Sequence, residues 1–192
     1  MKKYIAIVGP IGAGKTTVSD ILIEEFGYVR YKISQGLYDE VERRGLERTR
    51  IILQDVGDDL RNLKGPGVLS KLAIEKLKKD GVDQSKKIVF ESIRNHNEIL
   101  VLQEEYGDEL FVISVDTPLE VRYKRAVERK GQYNEQDTTF EEFKKIAERD
   151  LGKGNGENEQ NVLKCMELAD IEISNDGTLE DLKKKVETLV IS

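Results

Sequence analysis

The chain has 192 residues, 38% hydrophobic and 35% charged, a balance that fits one globular domain with a heavily charged surface. With 31 Lys and Arg against 37 Asp and Glu the net charge is −6, so there is no general attraction to nucleic acid or anionic membrane and any basic site must be local. The single cysteine, Cys165, rules out an intrachain disulfide and a cysteine metal cluster, and no run of about 18 apolar residues offers a membrane span. The apolar stretch behind Met1-Lys2-Lys3-Tyr4 breaks at Gly9 and Pro10, too soon for a signal peptide, so a cytoplasmic setting is expected.

Ile5 to Val8 is a short β-biased run ending in glycine-rich chain, which predicts a buried strand. Val18, Ile21, Leu22 and Phe26 then recur at helical spacing up to Gly27, a stop signal. Tyr28 to Ile33 reads as a second strand, and from Gln35 to about Asp80 the pattern is helical with breaks near Gly45 and at Gly65-Pro66-Gly67. Lys87 to Glu91 and Leu110 to Asp116 are further strands, separated by a helix that carries Ile99, Leu100 and Leu102. Pro118 opens a helix where its missing N–H does no harm. Residues 131–160 are polar, punctuated by Gly152, Gly154 and Gly156, and read as a mobile flap with one helix near Phe140 to Asp150. Asp170 to Ser174 is a last strand and Leu179, Leu182, Val186 and Leu189 mark a closing helix, with Lys183-Lys184-Lys185 on its solvated face. Strands alternating with helices predict an α/β fold, a mostly parallel sheet covered on both faces, with ligands beyond the carboxyl ends of the strands.

That end of the first strand carries Gly9-Pro10-Ile11-Gly12-Ala13-Gly14-Lys15-Thr16, the pattern Gly-x-x-x-x-Gly-Lys-Thr between strand and helix. Gly9, Gly12 and Gly14 permit close backbone approaches, so that successive N–H groups point at phosphate oxygens. Lys15 reaches the β and γ phosphates of ATP, the Thr16 hydroxyl serves Mg²⁺, and the following helix adds its N-terminal partial charge, with Thr17 in its first turn. The segments Asp-x-x-Gly and Asn-Lys-x-Asp, which a GTPase switch needs, are both absent.

On this loop, on Asp59-Leu60-Arg61 ahead of Gly65-Pro66-Gly67, on Phe90-Glu91-Ser92-Ile93-Arg94, on Pro118 with Arg122, Arg125 and Arg129, and on Ala169-Asp170 leading to Asn175-Asp176-Gly177-Thr178-Leu179, the chain resembles P-loop nucleoside monophosphate kinases. The likeness extends to small archaeal adenylate-kinase-related and dephospho-CoA-kinase-like proteins. It implies a P-loop NTPase three-layer sandwich with a five-stranded parallel core formed by residues 1–34, 85–130 and 161–192. It also implies a helical substrate-binding insertion at about 35–84 and a lid at about 131–160. Activity would be transfer of the γ-phosphoryl group of Mg-ATP to a small phosphorylated acceptor, a nucleoside or deoxynucleoside monophosphate before dephospho-CoA, with Asn175 and Gly177 beside the nucleotide. A regulatory P-loop ATPase without such an acceptor remains the alternative.

At roughly 100° per residue, Arg122, Arg125 and Arg129 fall within an arc of roughly 60°, a cationic helix face suited to charge that develops on a moving phosphoryl group. Arg94, three residues after Glu91 at a strand end, is expected to hold the acceptor phosphate, and the resemblance implies Arg61, in the insertion, as second candidate. Two positions depart from the related kinases. Glu91 stands where they have the Asp that contacts Mg²⁺ through water, and Ser34-Gln35-Gly36-Leu37 lacks the aspartate they place near the acceptor. Asp116, at another strand end, ranks below Glu91, and His96 has no partners for a metal site.

Overall fold

The computed structural model describes residues 2–81, 86–128, 138–152 and 156–191. Five strands, β1 (Tyr4–Val8), β2 (Tyr28–Lys32), β3 (Lys87–Glu91), β4 (Leu110–Asp116) and β5 (Ile171–Ser174), form one sheet in the order β2-β3-β1-β4-β5. Every pairing is parallel, with Tyr4 opposite both Ile88 and Leu110. β1 is central and wholly buried, which accounts for its unbroken apolar run.

The period of two along β1 divides the core between the two faces. Tyr4, Ala6 and Val8 face a cluster that includes Ile88, Phe90, Val112, Ile99 and Leu102, covered by α5 (His96–Tyr106) and α8 (Val162–Glu167). Ile5 and Ile7 face Val18, Ile21, Leu22, Leu182 and Val186 of α1 (Lys15–Phe26) and α9 (Leu179–Ile191). The result is the predicted three-layer sandwich. The insertion is three helices, α2 (Gln35–Arg43), α3 (Arg50–Lys64) and α4 (Val68–Lys79), whose Leu37, Val41, Leu53, Leu60, Leu69 and Ile74 extend the first cluster. Gly67, between α3 and α4, lets the chain pass close to α5, since a Cβ there would come 2.6 Å from a Val101 methyl.

The helix predicted inside the polar flap is present. Among its described residues, α7 (Phe140–Leu151) begins with a capping box between Thr139 and Glu142 and packs Phe143 and Ala147 against Ile11 and against Ala126 of α6 (Leu119–Glu128). Few apolar residues suffice here because Phe143, Ile146 and Ala147 share one helix face. Beyond α7, Asn95 donates to the carbonyls of Glu157 and Glu159, both at 2.7 Å, and the Asn161 N–H donates to the Arg94 carbonyl at 2.8 Å. Gly131 and Gly154 lie outside the described residues, and no described helix is long and apolar enough to cross a membrane. Cys165 is a buried helix residue whose thiol donates to the Asn161 carbonyl, and burial pushes its pKa up. Asn95 caps α5, and His96 is the first residue of that helix.

Candidate functional site

The loop from Gly9 to Gly14 joins β1 to α1, as its spacing predicts. At Gly9, φ is 138° and a Cβ would lie 2.2 Å from the Val115 carbonyl oxygen of β4. At Gly14, φ is 96° and a Cβ would meet the Asn175 amide nitrogen at 2.1 Å. Only glycine fits either position, and the loop so formed lies at the carboxyl end of the sheet, at the N-terminus of a 12-residue helix. Lys15 bends over it and donates to the carbonyls of Gly9 and Pro10 at 2.7 and 2.8 Å. Burial, with Arg94, Arg50 and Arg122 nearby, holds the Lys15 ammonium well below the usual lysine range, and Asp150 opposes that shift.

A crevice of about 440 Å³ extends from this loop to the insertion. Gly14, Lys15, Thr16 and Thr17 wall one end, Leu37, Tyr38, Leu53, Gln54 and Leu69 the other, and Glu91, Ser92 and Arg94 line the same space. Ser92 holds φ at 70°, a left-handed conformation rare outside glycine, and turns the chain between the end of β3 and Arg94. Glu98 accepts from the Arg94 N–H at 2.8 Å, so both sides of the Arg94 backbone are held.

Glu91 is buried and takes Arg30 Nε of β2 on Oε1 at 3.1 Å, while Arg30 also pairs with Asp20. That leaves Glu91 Oε2 and the exposed Thr16 hydroxyl as oxygen donors on the walls of one crevice, a set that fits Mg²⁺, which takes one or two protein oxygens and completes its shell with phosphate and water. Asp116 ends exposed on β4 and is not part of these walls.

The predicted arginine face divides. Arg125 lines the crevice and donates to the Asn175 carbonyl at 3.0 Å. Arg122 is buried and donates to the carbonyls of Thr117 and Ile11 at 2.9 and 3.3 Å, so its guanidinium braces the phosphate loop from behind instead of forming a crevice wall. Arg129 lies outside the described residues. Arg61 also departs from its expected role as an open acceptor grip. It borders the crevice but is only 1% exposed, and its nitrogens are bonded to Glu98 and Asp58. Asn175 donates its amide to the Ala13 carbonyl at 2.8 Å, supporting the loop, and Gly177 is exposed in the turn before α9, away from the crevice walls.

Sequence reasoning missed several residues at this site. Thr117 lies within hydrogen-bond reach of the carbonyls of Ala13 and Asn175, joining loop and β5 end. Arg30 of β2, Arg50 and Gln54 one turn apart on α3, and Gln160 beyond α7 line the crevice from three separate segments. Asp150 left a signal, since it falls three residues after Ala147 on the apolar face of α7, where an unpaired carboxylate would be costly.

Sheet order, phosphate loop and crevice define a P-loop domain of kinase-like fold. Shikimate kinase from Bacteroides thetaiotaomicron shares that fold, with a TM-score of 0.62 over 100% of both chains at 15% identity. A family model described as AAA domain matches residues 8–144. The UPF0200 protein of Methanosarcina mazei is 30% identical over 186 residues, 97% of this chain and 92% of that protein. The UPF0200/UPF0201 protein of Archaeoglobus fulgidus is 31% identical over 193 residues, 98% of this chain, which spans only 55% of that longer protein. The chain belongs to the AAA domain family of P-loop proteins and groups there with the UPF0200 proteins.

Proposed function

We propose that this protein is an ATP-dependent phosphotransferase that moves the γ-phosphoryl group of Mg-ATP to a small phosphorylated acceptor, a nucleoside or deoxynucleoside monophosphate in first place and dephospho-CoA in second. The observation that carries this reading is the continuity of one crevice from the phosphate loop, past Arg94, to the apolar and amide side chains of the insertion. A nucleotide hydrolase needs only the first end. The second end offers Leu37, Tyr38, Leu53 and Leu69 for the faces of a flat ring and Gln54 for its edge.

In this reading the loop N–H groups and Lys15 hold the β and γ phosphates, and the Lys15 ammonium leaves its two carbonyl partners to do so. Thr16 and Glu91 hold Mg²⁺, which when bound neutralises charge on the phosphate oxygens. Arg94 orients the acceptor, Arg125 faces the nucleotide, and the insertion walls exclude water from the transfer.

Labelled ATP with a panel of nucleoside monophosphates, deoxynucleoside monophosphates and dephospho-CoA tests the proposal. One acceptor should become labelled and raise ADP formation about tenfold or more over the acceptor-free rate. ADP formation that no acceptor stimulates would mean a regulatory ATPase.

A further inference from the structure

Asp150 has no part in the reading above, yet it is the one acidic side chain of α7 brought to the phosphate loop. It is 1% exposed. Its Oδ2 accepts from the Ile11 N–H, in the loop itself, at 3.1 Å. Arg94 Nη1 lies 3.4 Å from both Asp150 oxygens and 3.4 Å from the Gly9 carbonyl. Asp150 Oδ1 is buried with no hydrogen bond, although a buried carboxylate oxygen ordinarily has one.

We propose that Asp150 is the positioning residue that aims Arg94 across the seam between the γ-phosphate and the acceptor, coupling α7 to the phosphate loop. This rests on the kinase reading and deepens it by assigning what orients the acceptor's phosphate. An arginine side chain has several rotatable bonds, and a guanidinium free to wander loses orientation each time it must engage phosphate. One carboxylate that binds both Arg94 and the Ile11 N–H removes that freedom in advance. It also places one negative charge among Lys15, Arg94 and Arg122, without which these cations would repel one another around a loop that must hold still. The contacts of Arg94 are long, as suits a group that is steered yet still able to move onto a ligand.

The experiment needs no transfer: inorganic phosphate is titrated into the Mg-ADP complex, where it takes the place of the group between nucleotide and acceptor. Asp150→Asn, which keeps an oxygen for the Ile11 N–H but loses the charge that faces Arg94, should weaken phosphate about tenfold while ADP affinity stays within about threefold. In an Arg94→Ala background the same change should have no further effect, because its route is gone. Asp150→Glu should recover part of the loss. Wild-type phosphate affinity in Asp150→Asn, losses that simply add in the double variant, or no phosphate binding by the wild type would each overturn the proposal. Should Asp150→Asn not fold, Arg94→Lys decides, since the guanidinium meets Asp150 through Nη1 and keeps its other nitrogens for phosphate, whereas a lysine has one nitrogen for both; unchanged phosphate affinity there is the overturning result. Coupling that is present while no acceptor becomes phosphorylated would sink the kinase reading and leave the positioning role standing.

Discussion

Arg61 and Glu98 meet inside the protein, with Nε and Nη2 of the arginine 3.1 and 3.0 Å from one carboxylate oxygen while the other oxygen accepts from the Arg94 N–H at 2.8 Å. The pair joins α3 of the insertion to the start of α5, immediately beside Arg94. Removing Glu98 leaves the buried Arg61 guanidinium with Asp58 as its remaining carboxylate partner. Glu98→Ala should therefore lower unfolding free energy by about 3–5 kcal/mol in denaturant titration. A loss under about 1 kcal/mol would show that the pair is solvated in solution.

Lys15→Ala and Thr16→Ala should each reduce turnover of Mg-ATP on the order of a hundredfold or more with the circular dichroism spectrum unchanged, since the proposed reaction assigns both side chains to phosphate and metal. Gly14→Ala should also abolish nucleotide binding, for its Cβ would enter the space of the Asn175 amide. Wild-type turnover in either of the first two would remove the phosphate loop from the chemistry.

Arg94→Ala should raise the acceptor KM far more than the KM for ATP. Loss of a charged hydrogen bond to phosphate is worth on the order of 1.5–3 kcal/mol, or roughly ten- to a hundredfold. Equal effects on both constants would place Arg94 on the nucleotide side instead.

Glu91→Gln tests whether the longer carboxylate serves the metal. The Mg²⁺ concentration giving half-maximal turnover should rise about tenfold or more in a magnesium titration. Arg30→Ala, which frees Glu91 Oε1, should shift the same midpoint the other way. An unmoved midpoint in Glu91→Gln would leave Glu91 as a structural partner of Arg30 only.

The amides of α7 from Phe143 to Asp150 should exchange slowly in the ligand-free protein, because Phe143 and Ala147 are 2% and 1% exposed against Ile11 and Ala126. Phe143→Ala should raise exchange across the helix and cost about 3–5 kcal/mol of local stability. Fast exchange of α7 in the unmodified protein would return it to the mobile flap that its polar composition suggests.

Local pattern in the sequence carried the fold class, the five strands and the phosphate loop. An apolar run that stops at glycine, and glycines at fixed offsets before Lys15, are features that neighbouring residues impose on one another. Arg94 and Glu91 were legible for the same reason, each fixed by distance from a strand end. The tertiary structure decided what each arginine faces. Arg61, Arg122 and Arg125 look alike in sequence, but Glu98 takes the first, the carbonyls of Thr117 and Ile11 take the second, and only Arg125 among the three lines the crevice without being buried. Asp150 lies 139 residues from Ile11 along the chain and 3.1 Å from it in space, a contact that exists only once α7 has docked its apolar face on the loop. A charged side chain takes its role from the partner that burial forces on it, and that partner is chosen by packing between distant segments.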